Sequence, residues 1–137
     1  LIKDNHVDYA GSMLAAMEGV ASYLNERGLE LPVVVEVRDA QETQDAMEAR
    51  KRWAKPSGAP LIDRLLLDNH TPEQAALAVK KWGSEIPLEA SGGITPTNAR
   101  AYAESGVNFI SMGWLTHSVP GLDFSLKSTD QIQSFDE

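Results

Sequence analysis

The sequence predicts an α/β protein built on a parallel sheet, and three observations predict it. Short runs of β-branched and aliphatic residues recur along the chain, each too short for a helix. Segments with apolar residues at helical spacing separate them, so strand and helix alternate. The connections are short and hold no Asn-Gly or Asp-Gly pair, which fits right-handed crossovers better than hairpins. Such a sheet is either doubly wound or an arc of a barrel. A complete eight-unit barrel takes roughly 250 residues, and this chain has 137.

The elements follow in order. Leu1-Ile2-Lys3-Asp4-Asn5-His6 reads as the end of a strand. Residues Gly11 to Arg27 carry Met13, Leu14, Met17, Val20, Ala21 and Leu24 on one helical face, with Gly28 as the stop. Residues Val33 to Val37 form a buried strand. Asp39 followed by Glu42 resembles a capping box and predicts a helix from Ala40 to about Ala54. Residues Lys55 to Pro60 are a breaker-rich loop. Ile62 to Leu67 is the second strand. Thr71-Pro72-Glu73-Gln74 then opens a helix that ends near Gly83, with Thr71 as cap and Pro72 at the first turn. Ile86 to Ala90 is the third strand, with Pro87 near its beginning. A further helix is expected from Thr95-Pro96 to Gly106, a fourth strand over Val107 to Met112, and a short fifth over Leu122 to Leu126. The domain is expected to span residues 1–127, followed by a polar tail over 128–137.

Composition narrows the function. Lys+Arg number 12 and Asp+Glu 20, a net charge of -8, which argues against a general nucleic-acid binder. There is no cysteine, which excludes disulfides, thiolate zinc sites and thiol nucleophiles. No apolar run approaches the roughly 20 residues of a membrane span, and no leader-like start is present, so no membrane partner and a cytoplasmic protein are expected.

In parallel α/β folds ligands bind at the carboxyl ends of the strands, so polar residues there carry the most information. Lys3 follows Leu1-Ile2 and offers a mobile positive charge to a carboxylate or phosphate, unless it is a plain surface lysine. Glu36 interrupts an apolar strand and Asp68 closes Leu65-Leu66-Leu67. Carboxylates there are costly without cations or donors facing them. They could share a divalent metal, hold sugar hydroxyls or stabilise positive charge on a sugar carbon. The bland readings are a structural ion pair for Glu36 and a turn for Asp68. Glu89 is a weaker candidate, equally a buried partner for Lys3. Ser91-Gly92-Gly93 and Ser111-Met112-Gly113 follow successive strands, and paired glycine turns of this kind suit a phosphate. His70 and His117 lack metal-ligand spacing. Trp82 reads as helix packing, while Trp114, next to Gly113, is a lesser pocket candidate.

Taken together, Leu1-Ile2-Lys3-Asp4-Asn5-His6, Val35-Glu36-Val37, Leu66-Leu67-Asp68-Asn69, Glu89-Ala90-Ser91-Gly92-Gly93-Ile94-Thr95 and Ile110-Ser111-Met112-Gly113 stand in the order and approximate spacing of quinolinate phosphoribosyltransferases. Leu115-Thr116-His117-Ser118 and Leu122-Asp123-Phe124-Ser125-Leu126 extend the resemblance to about Lys127. The resemblance implies a partial (β/α) barrel of the type II phosphoribosyltransferase kind. It implies transfer from phosphoribosyl pyrophosphate to quinolinate with Mg²⁺, giving nicotinate mononucleotide, pyrophosphate and carbon dioxide for NAD synthesis. By that similarity Lys3 faces a substrate carboxylate or the pyrophosphate. Glu36 and Asp68 hold ribose hydroxyls and the metal, mainly through water. Ser91, Gly92, Gly93, Met112, Gly113 and Trp114 cradle the 5′-phosphate.

The family's chains are about twice this length, with an N-terminal sandwich, the first barrel strands and the quinolinate clamp in the part not seen here. The resemblance therefore implies a C-terminal portion, inactive or nearly so alone, of an enzyme that is at least a homodimer. Two other readings stay open: a related transferase with another nitrogen acceptor, and a non-catalytic phosphate-binding partner subunit.

Overall fold

The computed structural model describes residues 1–118 and 121–126. Helices α1 (Asp4–Ala10) and α2 (Met13–Arg27) come first, then β1 (Val34–Val37) and α3 (Ala40–Arg52). The chain continues through β2 (Arg64–Asp68), α4 (Pro72–Trp82), β3 (Leu88–Ser91), α5 (Ala99–Glu104), β4 (Phe109–Ile110) and α6 (Trp114–His117). The strands form one parallel sheet in the order β1-β2-β3-β4. Ile2 adds a parallel bridge to Val35, so the arc begins one strand position before β1. Spatial order that follows chain order, without the reversal of a doubly wound sheet, is the winding of a barrel.

Strand alternation divides the sheet into two chemically different faces. Val35 and Val37, Leu65 and Leu67, and Leu88 point to one side and pack against Met17, Ala21, Leu24, Met47 and Trp82 from the helices. The register pairs Glu36 with Leu66, Leu66 with Glu89, and Glu89 with Phe109 on the opposite face. Arg64, Asp68 and Ser91 share that face. The fold therefore has a dry helical side and a charged concave side.

Local chemistry sets the element ends. Ser12 caps α2 by accepting from Ala15 N–H, and Gly28 ends it at φ 62°. Asp39 caps α3 by accepting from Gln41 and Glu42 N–H. The expected box at α3 takes a different form, because Glu42 accepts from the Arg38 N–H and guanidinium rather than from Asp39. At α4 the Thr71–Gln74 box forms as read, with Thr71 N–H donating to Gln74 Oε1 at 2.8 Å.

Several expectations require correction. Only Ile2 of the first six residues is strand-like. Asp4 starts a seven-residue helix, and Lys3 N–H donates to His6 Nδ1. The second strand begins at Arg64, not Ile62, because Asp63 turns aside to accept from Val33 N–H and from a buried Lys55. The third runs from Leu88 to Ser91, with Pro87 just outside it. Regular helix starts at Ala99, one turn after Thr95-Pro96; the intervening turn is joined to it by Ala99 N–H donating to Thr95 O at 2.9 Å and by Thr95 N–H donating to Asn98 Oδ1. The fourth strand is only Phe109–Ile110, and Trp114–His117 adds a turn of helix that was not foreseen. Leu122 to Leu126 is not a strand; Leu122, Phe124 and Leu126 are exposed in irregular backbone. The tail over 128–137 lies outside the described residues.

Candidate phosphate and pentose site

Parallel strands bring all their carboxyl ends to one rim, and both glycine turns leave from it. Ser91, Gly92, Gly93, Ile94 and Thr95 from the β3 end line a cleft of about 630 Å³ together with Ser111, Met112, Gly113, Trp114, His117 and Ser118 from the β4 end. All six residues read from sequence as a phosphate cradle therefore meet in one cavity. The N–H groups of Gly92, Gly93, Met112, Gly113 and Trp114 donate to no acceptor among the described residues. Bare amides converging on a concave surface are a ready site for an anion.

The two glycine turns differ in what holds them. Gly92 and Gly93 both take left-handed backbone, at φ 94° and 62°. Asn98 Nδ2 donates to Gly93 O at 3.1 Å, pinning the far side of the turn. Gly113 lies under the His117 ring; a side chain there would come within 2.8 Å of His117 Nε2. His117 thus closes one wall of the cleft, a role its spacing in the sequence did not reveal. Trp114 is half-buried at the same wall.

Asp68 stands opposite Ser91 in the β2–β3 register, so its carboxylate borders the glycine turn. It is half-buried, and among the described residues no cation pairs with it. Glu36 sits one row deeper, on the same face. Its carboxylate is buried and lies 3.7 Å from Lys3 Nζ, whose side chain is half exposed. The ion pair considered as the bland reading of Glu36 therefore joins two of the candidate residues. Lys3, Glu36 and Asp68 lie outside the lining of the glycine cleft but at the same sheet end and on its concave side.

Glu89 does not pair with Lys3, which corrects that alternative. Its Oε2 lies 3.0 Å from Arg64 Nε, and its Oε1 accepts from Ser111 Oγ–H. The Arg64 guanidinium also stacks on Phe109, 4.5 Å from the ring centre. This network ties the root of the second glycine turn to the middle of the sheet. Nothing in the sequence singles out Arg64, because a cation at the first residue of a strand normally marks the surface. His70 is structural, as expected: its Nδ1 donates to Asp68 O, and its own carbonyl accepts from Tyr102 Oη–H. Trp82 packs in the core. Among the described residues no group of three or more His, Cys, Asp or Glu converges as a metal cage. No helix there is long and apolar enough to cross a membrane.

Comparison with known proteins identifies the family. The family model described as "Quinolinate phosphoribosyl transferase, C-terminal domain" matches residues 1–127. The chain is 36% identical over 136 residues to the chloroplastic nicotinate-nucleotide pyrophosphorylase [carboxylating] of Arabidopsis thaliana, covering 96% of this chain and 39% of that protein. It is 35% identical to the probable nicotinate-nucleotide pyrophosphorylase [carboxylating] of Archaeoglobus fulgidus, over 93% of this chain and 45% of that one. Among solved structures, NadC from Streptococcus pyogenes superposes with a TM-score of 0.68 at 29% identity, over 93% of this chain and 40% of that chain. The nicotinate-nucleotide pyrophosphorylase of Francisella tularensis gives 0.68 at 32% identity, over 84% and 36%. The chain thus spans less than half the length of these relatives. A barrel arc with a glycine-lined rim and a matching family model lead to one statement: this chain belongs to the quinolinate phosphoribosyltransferase family.

Proposed function

We propose that the polypeptide carrying this chain transfers a phosphoribosyl group from phosphoribosyl pyrophosphate to quinolinate, with loss of carbon dioxide, to give nicotinate mononucleotide. The observation that carries the proposal is the cleft of unpaired amides beside an uncompensated Asp68. A 5′-phosphate fits the amides of Gly92, Gly93, Met112, Gly113 and Trp114, with Ser91 at their edge. The ribose then extends along the concave face toward Asp68 and Glu36, whose carboxylates accept from its hydroxyls. As the bond from C1 to pyrophosphate breaks and C1 joins the pyridine nitrogen, positive charge develops on the sugar. Two fixed carboxylates stabilise that charge without reorganising. Lys3 balances Glu36 and remains exposed enough to meet an incoming carboxylate.

Mg²⁺ fits this donor set. Glu36 and Asp68, with no cage of three or more ligands among the described residues, suit a cation that keeps its waters and takes most ligands from substrate oxygens. Glu36 and Asp68 would hold it through water, and it would neutralise pyrophosphate charge. Such a site also explains how a chain of net charge -8 receives an anionic substrate, because the binding charge is local. The relatives' names, and their greater length, support the same reading.

The test is an assay of the full-length polypeptide with quinolinate, phosphoribosyl pyrophosphate and Mg²⁺, following nicotinate mononucleotide and carbon dioxide together. Transfer without release of carbon dioxide would assign another acceptor. In the same assay Glu36→Gln should lower kcat by on the order of 10²-fold or more while ribose 5-phosphate still binds. Unchanged turnover would remove Glu36 from the chemistry.

A further inference from the structure

We propose that Asn69 is a positioning residue that latches the Asp68 carboxylate to the Ser91–Gly93 turn. The inference rests on the reading that Asp68 faces the pentose, and it adds a residue that this reading does not use. Asn69 is the one non-glycine residue at positive φ among those described, at 53°. Asparagine tolerates that conformation better than most residues, yet it still carries strain, so something local must hold it there.

Three contacts do. The backbone N–H of Asn69 donates to Ser91 O at 2.9 Å, joining the β2 and β3 ends beyond their paired residues. Its Nδ2 donates to Asp68 Oδ2 at 2.8 Å. Its amide oxygen fills the space over Gly92, where a Cβ would lie 2.2 Å from Oδ1 and 2.9 Å from the backbone N. One side chain therefore touches both halves of the candidate site. With Oδ2 engaged, Asp68 keeps Oδ1 as its free acceptor, aimed by the amide and not by rotation of the carboxylate. The bare glycine at position 92 is required by the same packing. Carboxylate and phosphate turn are set at a fixed separation, which is what a rigid ribose phosphate needs.

The substitution Asn69→Gly removes the side chain and accepts φ 53° without strain, so the variant folds. Calorimetric titration of the full-length polypeptide with phosphoribosyl pyrophosphate and Mg²⁺ is compared for wild type, Asn69→Gly, Asp68→Asn and the double variant. Asn69→Gly should weaken binding by about ten-fold. In the double variant the loss should not exceed that of Asp68→Asn, because Asn69 acts through Asp68. Binding unchanged in Asn69→Gly, or losses that multiply in the double variant, overturns the latch. A wild-type full-length polypeptide that binds neither this ligand nor inorganic phosphate counts against the proposed function instead. The latch is then read from the Asn69 side-chain amide resonance in ¹⁵N spectra. Movement of that resonance in Asp68→Ala supports the pairing, and an unmoved resonance overturns it.

Discussion

Replacing each glycine of the first turn by alanine separates backbone strain from displacement of the site. Gly92 and Gly93 both occupy left-handed backbone, at φ 94° and 62°. An L-residue there costs about 1–2 kcal/mol. At Gly93 that is the whole cost, because a Cβ would meet nothing within 4 Å. At Gly92 the Cβ would lie 2.2 Å from Asn69 Oδ1 and 2.9 Å from Asn69 N, and the latter is backbone that cannot swing away. Relief requires the turn or the Asn69 segment to move by roughly an ångström, adding about 1–3 kcal/mol. For a chain of this size about 1 kcal/mol shifts Tm by roughly 3–5 °C. Gly93→Ala should therefore lower Tm by about 3–10 °C and leave ribose 5-phosphate affinity within about three-fold. Gly92→Ala should lower Tm further and weaken that affinity by on the order of 10²-fold, the usual consequence of a 1 Å misplacement. Thermal unfolding and calorimetry on the same preparations give both numbers. Equal affinity losses in the two variants would show that contact with Asn69 does not set the turn, because only Gly92→Ala displaces it.

Two further predictions rest on other parts of the molecule. Glu89→Ala leaves Arg64 without its carboxylate and Ser111 without its acceptor, and should cost about 2–3 kcal/mol in chemical denaturation; that is below the full cost of breaking a buried pair because Arg64 is partly solvated. A loss under about 0.5 kcal/mol would show that the network does not hold the second turn. The Glu73 carboxyl lies below its ordinary value of 4.5 because the Thr71 hydroxyl and a backbone N–H donate to its charged form. A group depressed in the folded state contributes stability above its unfolded value, and that contribution is lost as pH falls through the folded value. Glu73→Gln should lower stability slightly at neutral pH and flatten the acid limb, so that the two proteins converge as pH falls through the folded value; an unchanged neutral stability with an identical acid limb would contradict this.

What could be read from the chain divides along the reach of its signals. The alternation of Val34–Val37, Arg64–Asp68 and Leu88–Ser91 with capped helices is a local pattern, and the parallel sheet and the rim that carries the candidate site are legible from it. The Thr71-Pro72-Glu73-Gln74 helix start was legible for the same reason, since all its partners lie within four residues. The Thr95-Pro96 signal falls one turn ahead of α5: Thr95 N–H donates to Asn98 Oδ1 much as Thr71 N–H does to Gln74, but Asn98 also donates to Gly93 O, and regular helix begins only at Ala99. Leu122 to Leu126 alternates apolar and polar residues as a strand does, but among the described residues nothing pairs with it, and a strand exists only with a neighbour. In the site, polar residues on apolar strands and paired glycines marked Glu36, Asp68 and both turns. The partners Arg64, Asn69, Asn98 and His117 were not marked, because their roles depend on contacts across loops that no spacing encodes. The resemblance to a family sharpened the chemistry without adding those contacts.

In the proposed site, unpaired amides at the rim bind the phosphate of a pentose lying toward Asp68 and Glu36. The measurement that bears on this is ¹H–¹⁵N mapping of the full-length polypeptide titrated with ribose 5-phosphate. Saturable shifts at the amides of Gly92, Gly93, Met112 and Gly113, with smaller ones at Asp68 and Asn69, are the predicted result. Shifts confined to the groove of about 220 Å³ lined by Arg38, His70, Leu77 and Lys81, or no saturable shift at the glycine amides, would contradict it.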